Sequence, residues 1–383
     1  MTIDFFPTKL ATGQQFCNRV QEKVLLQRNI NCVRHTVLVA PRRYGKSSLV
    51  LKVAEESTLP LASVDLFLAH DDMAITKRIL TGISEAISQI MPIQQKMLKR
   101  LQHLFSQFGI VLTASGFRLE LQGAVQQLDI VDQIYNALVG LDQLAQQQKQ
   151  CILFFIDEFQ DIREAKNAKA IQGAIRHVAQ ETQHIMFIFS GSNQRLLKGL
   201  FDDRAQPLYM LCDTMVLQRM LSKDYHPHLQ ALAKKQWHSP LPEGVFNKIM
   251  SLTERHPYYV NALCHELWQQ QIMPEIEDVF RAWELCYEKH HDRLVAELEK
   301  LSVKQQDILR ALAVNPVSEP TGQHFVMVAQ VAASTIKQSF QMLMQRDMVY
   351  RITQEDPVVP MVQKGQFRVL DPLLSFALRK YSD

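Results

Sequence analysis

Ala40-Pro41-Arg42-Arg43-Tyr44-Gly45-Lys46-Ser47-Ser48 is the stretch on which the fold turns. It follows the short β-branched run Thr36-Val37-Leu38-Val39 and leads into Ser47–Glu55, which contains no Gly or Pro. The pattern predicts strand, loop and helix in succession. A helix that opens directly behind a loop points its unpaired N–H groups, and the positive end of its dipole, at whatever the loop encloses. Gly45 permits close backbone approach to a phosphate, the Lys46 amine reaches β- and γ-phosphates, and the Ser47 hydroxyl suits Mg²⁺. Pro41, Arg42, Arg43, Tyr44 and Ser48 complete this nucleotide-binding set. The usual pattern begins with Gly, but Ala40 stands there, and Pro41 stiffens the loop by fixing one φ.

A second signal is Cys151-Ile152-Leu153-Phe154-Phe155-Ile156-Asp157-Glu158. A continuous apolar run of this length reads as a central parallel strand, and open α/β sheets place ligands at the carboxyl ends of such strands. Asp157 is then a Mg²⁺ ligand, directly or through water, opposite Ser47. Glu158 is placed to polarise a water for attack on the γ-phosphate. His184–Phe189 reads as another buried strand, ending in Ser190-Gly191-Ser192-Asn193. Ser192 and Asn193 are candidates to sense the γ-phosphate or fix the attacking water, with Ser190 behind them. A compatible reading makes this end the N-cap of a helix over Gln194–Leu200. Leu61–Leu68 reads as one more buried strand.

Working outward, 383 residues predict two or three domains. The composition, 47% hydrophobic and 21% charged, is that of a globular protein, and a net charge of +3 argues neither for nor against nucleic acid. No apolar run is long enough for a membrane span, and Met1–Pro7 lacks the pattern of a signal peptide, so a cytoplasmic protein without a membrane partner is expected. Six cysteines without paired spacing predict reduced, mostly buried thiols and no zinc site.

The expected organisation is a core over 1–220, a helical lid over 221–300 and a winged-helix domain over 301–383. Phe16, Val20 and Val24 fall at helical spacing, which predicts a packed amphipathic helix running to about Ile30; the alternative sets Phe16 or Arg19 beside a base. A long helical pattern covers Asp72–Phe108, and a hairpin is expected around Ala114-Ser115-Gly116. Arg204 or Arg195 is either an arginine finger for a neighbouring subunit or a surface ion-pair partner. Pro257 suits the first turn of a lid helix and is counted with Phe16 and Arg19 among the expected nucleotide-binding residues, and Arg255 before it either reaches a γ-phosphate or is solvated. From Leu301 the order is helix, helix, helix, two strands, helix. The third helix, about Ala332–Arg346, turns Ile336, Phe340 and Leu343 inward. Its polar residues Ser334, Thr335, Lys337, Gln338 and Arg346 are few for neutralising DNA phosphates, so DNA and protein contact both stay open.

Together these residues resemble the prokaryotic (archaeal-type) P-loop ATPases related to the AAA+ and STAND groups, over nearly the whole chain. The motifs are Gly13, Phe16, Arg19 and Glu22; Pro41 to Leu49; Asp157-Glu158-Phe159-Gln160; Ser190-Gly191-Ser192; Pro207-Leu208-Tyr209; His256-Pro257-Tyr258-Tyr259; and Asp371-Pro372. Ala40 departs from the family pattern, as does Arg255, where a Gly usually precedes the His-Pro. The resemblance implies an α/β P-loop sheet, a lid and a winged helix, with ATP and Mg²⁺ as ligands. It implies a hydrolase acting as a switch, with Lys46, Glu158, Ser192 and Asn193 at the reaction, for an unidentified protein partner, self-assembly or DNA. A nucleotide-holding adaptor with little turnover is the alternative.

Overall fold

The computed structural model describes residues 5–91, 110–113, 118–121, 129–359 and 363–380. The chain forms two compact units: one of Met1–Arg19, Arg43–Gly45 and Gln218–Asp383, the other of Val20–Arg42 and Lys46–Leu217.

The second of these is the sheet unit. Its strands are β1 (Thr36–Val39), β2 (Leu61–Asp65), the separate hairpin β3 (Ile110–Thr113) and β4 (Arg118–Leu121), then β5 (Ile152–Asp157), β6 (Ile185–Gly191) and β7 (Asp213–Val216). Five of them form one sheet in the order β2-β5-β6-β1-β7, with every pairing parallel. The helices are α1 (Val20–Asn31), α2 (Lys46–Ser57), α3 (Asp72–Ile90), α4 (Ile130–Gln148), α5 (Ala168–Glu181) and α6 (Gln194–Asp202). Every residue of β1 and β6 is buried, which is why these strands read as unbroken apolar runs rather than alternating ones. In α3, Ile75, Ile79, Ile83, Ile87 and Ile90 form the inner stripe, and Asp71 caps the helix by accepting from Ala74 N at 2.7 Å. The remainder of the run to Phe108 and the tip Ala114-Ser115-Gly116 lie outside the described residues.

Register positions the site. Val39 pairs with Gly191, and Ile156 with Phe189. The ends of β1, β5 and β6 therefore reach one edge of the sheet together, on either side of the point where strand order reverses.

Three expectations are corrected here. Asn18 and Arg19 are left-handed (φ 47° and 60°), so helix α1 begins only at Val20, and its inner face is Leu26, Asn29 and Ile30. Val20 and Val24 are 58% and 64% exposed, and Phe16 is half-buried outside the helix. Strand β2 stops at Asp65, whose carboxylate accepts from Phe67 N at 2.8 Å and turns the chain, leaving Phe67 and Leu68 exposed. All six cysteines are free, but only Cys264 and Cys286 are buried; Cys32, in the turn after α1, is exposed.

The other unit is mainly helical: α7 (Ser222–Trp237), α8 (Glu243–Thr253), α9 (Pro257–Leu267), α10 (Ile276–Glu299), α11 (Val303–Val314), α12 (Gln323–Ala329), α13 (Ala333–Gln345) and α14 (Pro372–Lys380). Between α13 and α14 lie β8 (Val349–Arg351) and β9 (Phe367–Val369), an antiparallel pair extended by a bridge from Val317 to Phe367. Its core contains Trp283, Tyr225, Phe246 and Phe325, and in α13 Ile336, Phe340 and Leu343 are buried as their spacing predicts. Pro257 occupies the first turn of α9, where its missing N–H costs no helical bond.

Candidate nucleotide-binding and catalytic site

Lys46 is the first residue of α2 and only 6% exposed; its Nζ donates to the carbonyls of Ala40 (3.3 Å) and Pro41 (3.4 Å). The loop thus wraps its own cation. Left-handed backbone falls on Arg43 (φ 65°) and Gly45 (φ 84°), and not on Ala40, which is fully buried. Glycine's conformational freedom is required at position 45 and not at position 40, so the departure from the usual pattern leaves the loop intact.

At the end of β5, Asp157 receives Ser47 Oγ on Oδ2 at 2.7 Å, Ser190 Oγ on Oδ1, and Glu158 N on the same Oδ1 at 3.0 Å. This joins the first turn of α2, β5 and β6 through one carboxylate. Glu158 is left-handed (φ 50°) and leads into a 3₁₀ turn, Phe159–Glu164. Its Oε2 accepts from Gln160 Nε2 (2.6 Å), Ser192 Oγ (2.7 Å) and Ser192 N (3.1 Å). Burial pushes this carboxyl's pKa up, but the bonds from Gln160 and Ser192 and the Lys46 charge together hold it below the usual range. Arg42 Nε donates to Ser192 Oγ at 3.2 Å, and the Arg42 guanidinium lies over Phe67 at 5.6 Å. Asn193 instead caps α6, its Oδ1 accepting from Leu196 N at 3.1 Å. The hydroxyl of Ser47 and the carboxylate of Asp157 are hard oxygen donors of the kind Mg²⁺ takes, and the donor set fits that ion.

Of the remaining candidates, Phe16, Arg19, Arg255 and Pro257 belong to the helical unit, together with loop residues Arg43–Gly45, whereas Arg195 and Arg204 belong to the sheet unit. Arg19, 5% exposed, donates to Gln218 O (2.7 Å) and Tyr44 O (3.0 Å). Arg43 stacks over the Tyr258 ring at 4.1 Å, and the Tyr44 ring meets His256 edge-on, beside Pro257. Arg255 is 4% exposed and pairs with Asp356 Oδ2 at 3.4 Å. The expectation of a solvated Arg255 is therefore corrected: a left-handed turn (φ 61°) folds it inward onto a carboxylate. Its alternative as a phosphate sensor meets a guanidinium already paired. Arg204 and Arg195 are exposed.

Two features escape sequence reading. Gln160 was legible only as part of a motif, without a role. Arg219 has no motif around it, yet it donates to Tyr44 OH (3.1 Å), Glu254 O (3.0 Å), Glu254 Oε2 (3.1 Å) and Leu370 O (2.6 Å).

No family model matches the sequence, and no curated protein matches it. Among solved structures, the chain is similar to the Walker-type ATPase PABY2304 of Pyrococcus abyssi, with 18% identity and a TM-score of 0.69 over 98% of this chain and 100% of that one. It is also similar to the ORC2 protein of Aeropyrum pernix in its ADPNP–ADP complexes, with 15% identity and a TM-score of 0.56 over 95% and 93% of the two chains. For the ADP form of that protein the values are 14%, 0.53, 98% and 96%. Likeness at these identities speaks for the fold, and the chain has the parallel-sheet P-loop fold of the archaeal Walker-type ATPase and ORC2 structures.

Proposed function

We propose that this chain is an ATP- and Mg²⁺-binding P-loop ATPase that acts as a nucleotide-dependent switch on a macromolecular partner. The observation that carries the reading is the meeting of Lys46, Ser47, Asp157 and Glu158 at one sheet edge, with Ser47 Oγ 2.7 Å from Asp157 Oδ2. Lys46 and the N–H groups that open α2 bind the phosphates. Ser47 and Asp157 hold Mg²⁺, which when bound neutralises β- and γ-phosphate charge. Glu158 orients a water and accepts its proton as the water oxygen bonds to the γ-phosphorus and the bond to the β–γ bridging oxygen breaks, giving ADP and phosphate. Ser192 fixes Glu158, and Arg42 fixes Ser192. ATP is preferred over GTP on the resemblance of the motifs.

We read 221–300 as a lid and 301–383 as a winged helix, on the order of α11, α12, α13, β8, β9 and α14. The exposed part of α13 offers Ser334, Lys337 and Gln338, a single cation among them, whereas Met327, Met342 and Met344 are 70%, 44% and 43% exposed. Exposed methionines suit adaptable protein contacts, which favours a protein partner or self-assembly over DNA. Binding to duplex DNA that falls steeply with salt would reverse that preference. No helix among the described residues is long and apolar enough to cross a membrane.

The test is phosphate release from ATP with Mg²⁺. Wild type should turn over; Lys46→Ala should lose both binding and turnover. Glu158→Gln should keep Mg²⁺-ATP bound while turnover drops about 100-fold or more. Normal turnover in Glu158→Gln would sink the catalytic assignment, and tight binding without turnover in wild type would favour the adaptor.

A further inference from the structure

We propose that Gln160 is a positioning residue for Glu158, holding Oε2 of that carboxylate so that Oε1 is presented to the attacking water. The inference rests on the reading of Glu158 as the base. Three donors, from Gln160 Nε2, Ser192 N and Ser192 Oγ, converge on Oε2. They approach from two sides, the 3₁₀ turn after β5 and the end of β6, so the carboxylate is fixed in orientation as well as in place.

The amide is committed to this task. Gln160 is 5% exposed, and its Nε2 also reaches Asp161 Oδ1 at 3.1 Å. Flipping the amide would set its oxygen against two carboxylates, so electrostatics alone settle which end faces Glu158. The consequence is an orphan: Gln160 Oε1 is buried without a hydrogen-bond partner. An apolar side chain of the same length would fill this place without that penalty. The surroundings make room for the amide nonetheless. A Cβ at Gly191 would run into Gln160 Oε1, and Phe159, packed on Phe189 with ring centroids 4.6 Å apart, anchors the turn. A group held at the expense of an unsatisfied buried oxygen, with its donor on the reacting carboxylate, serves the chemistry rather than the packing.

Gln160→Met separates the two roles. Thermal melting of the nucleotide-free protein, affinity for Mg²⁺-ADP and single-turnover hydrolysis are measured for Gln160→Met, Glu158→Gln and the double variant. The melting temperature of Gln160→Met should equal or exceed that of wild type, and ADP affinity should stay within about twofold. Turnover should fall about 10- to 100-fold, and adding Gln160→Met to Glu158→Gln should cause no further loss. Gln160→Glu, which replaces the donor with an acceptor, should lose more turnover than Gln160→Met. A lowered melting temperature with matching loss of ADP binding would overturn the proposal, as would unchanged turnover or additive loss in the double variant. Unchanged turnover in Glu158→Gln alone would instead remove the base assignment, which distinguishes the two failures.

Discussion

Two clusters of buried charge in this molecule are finished to different degrees. Around Arg219 the network is closed. Nε, Nη1 and Nη2 of Arg219 all have acceptors, the Tyr350 ring lies 4.3 Å from the guanidinium, and the far oxygen of Glu254 takes Arg368 Nη2 at 3.1 Å. Burial alone would lower the pKa of Arg219, but Tyr350, Tyr44 and Glu254 outweigh it and hold the group above its ordinary value. At the ends of β1, β5 and β6 the cluster is only partly closed. The donors to Glu158 crowd onto one of its two oxygens. A fully satisfied network stabilises a fold; a partly satisfied one keeps valences for a ligand.

The comparison breaks first at Lys46. Lys46→Ala should weaken ATP binding by about 100-fold or more, the scale of a lost charge-assisted contact, measured by calorimetry. Its melting temperature without nucleotide should hardly move. Arg219→Met should do the reverse. It leaves the buried Glu254 carboxylate with Arg368 alone and the carbonyls of Glu254 and Leu370 without this donor, and should destabilise the protein by about 3 kcal/mol in denaturant unfolding. If Lys46→Ala proved the more destabilising, the distinction between the clusters would be lost.

His256 sharpens the comparison through pH. Burial first, then the Arg219 and Arg43 charges, push its pKa well below the ordinary value, so it folds neutral. The unfolded chain takes up a proton near pH 6.5 that the native state refuses, so this contribution is intact above that pH and is lost as pH falls. The slope should be about 1.4 kcal/mol per pH unit for this one group. His35 and His228, also lowered by burial, act in the same sense. Urea unfolding between pH 7 and 5 should show the decline, and His256→Gln should flatten it. The smallest effect is expected at Gly45→Ala: no atom lies within 4 Å of the added Cβ, so only the φ of 84° resists, at roughly 1–2 kcal/mol.

Much of this was legible in the residues because it is local. The runs ending at Val39, Asp157 and Gly191 announce buried parallel strands, since only strands covered on both faces can be apolar without alternation. The stripe Ile75, Ile79, Ile83, Ile87 and Ile90 likewise announces α3. Lys46, Ser47, Asp157 and Glu158 could be named because loop-plus-helix and strand-end chemistry are set by neighbours in sequence. Phe16 misled because two left-handed residues, Asn18 and Arg19, part it from α1, and Val20 and Val24 misled because they lie on the exposed side of that helix. What the fold added depends on separations along the chain that no pattern encodes. Ser190 and Ser192 reach Asp157 and Glu158 across 33 and 34 residues, and Leu370 reaches Arg219 across 151. Which oxygen of Glu158 is held, and which arginine is already paired, are settled by parallel register and side-chain packing. Those are products of the whole core, whereas residue type and period belong to each segment separately.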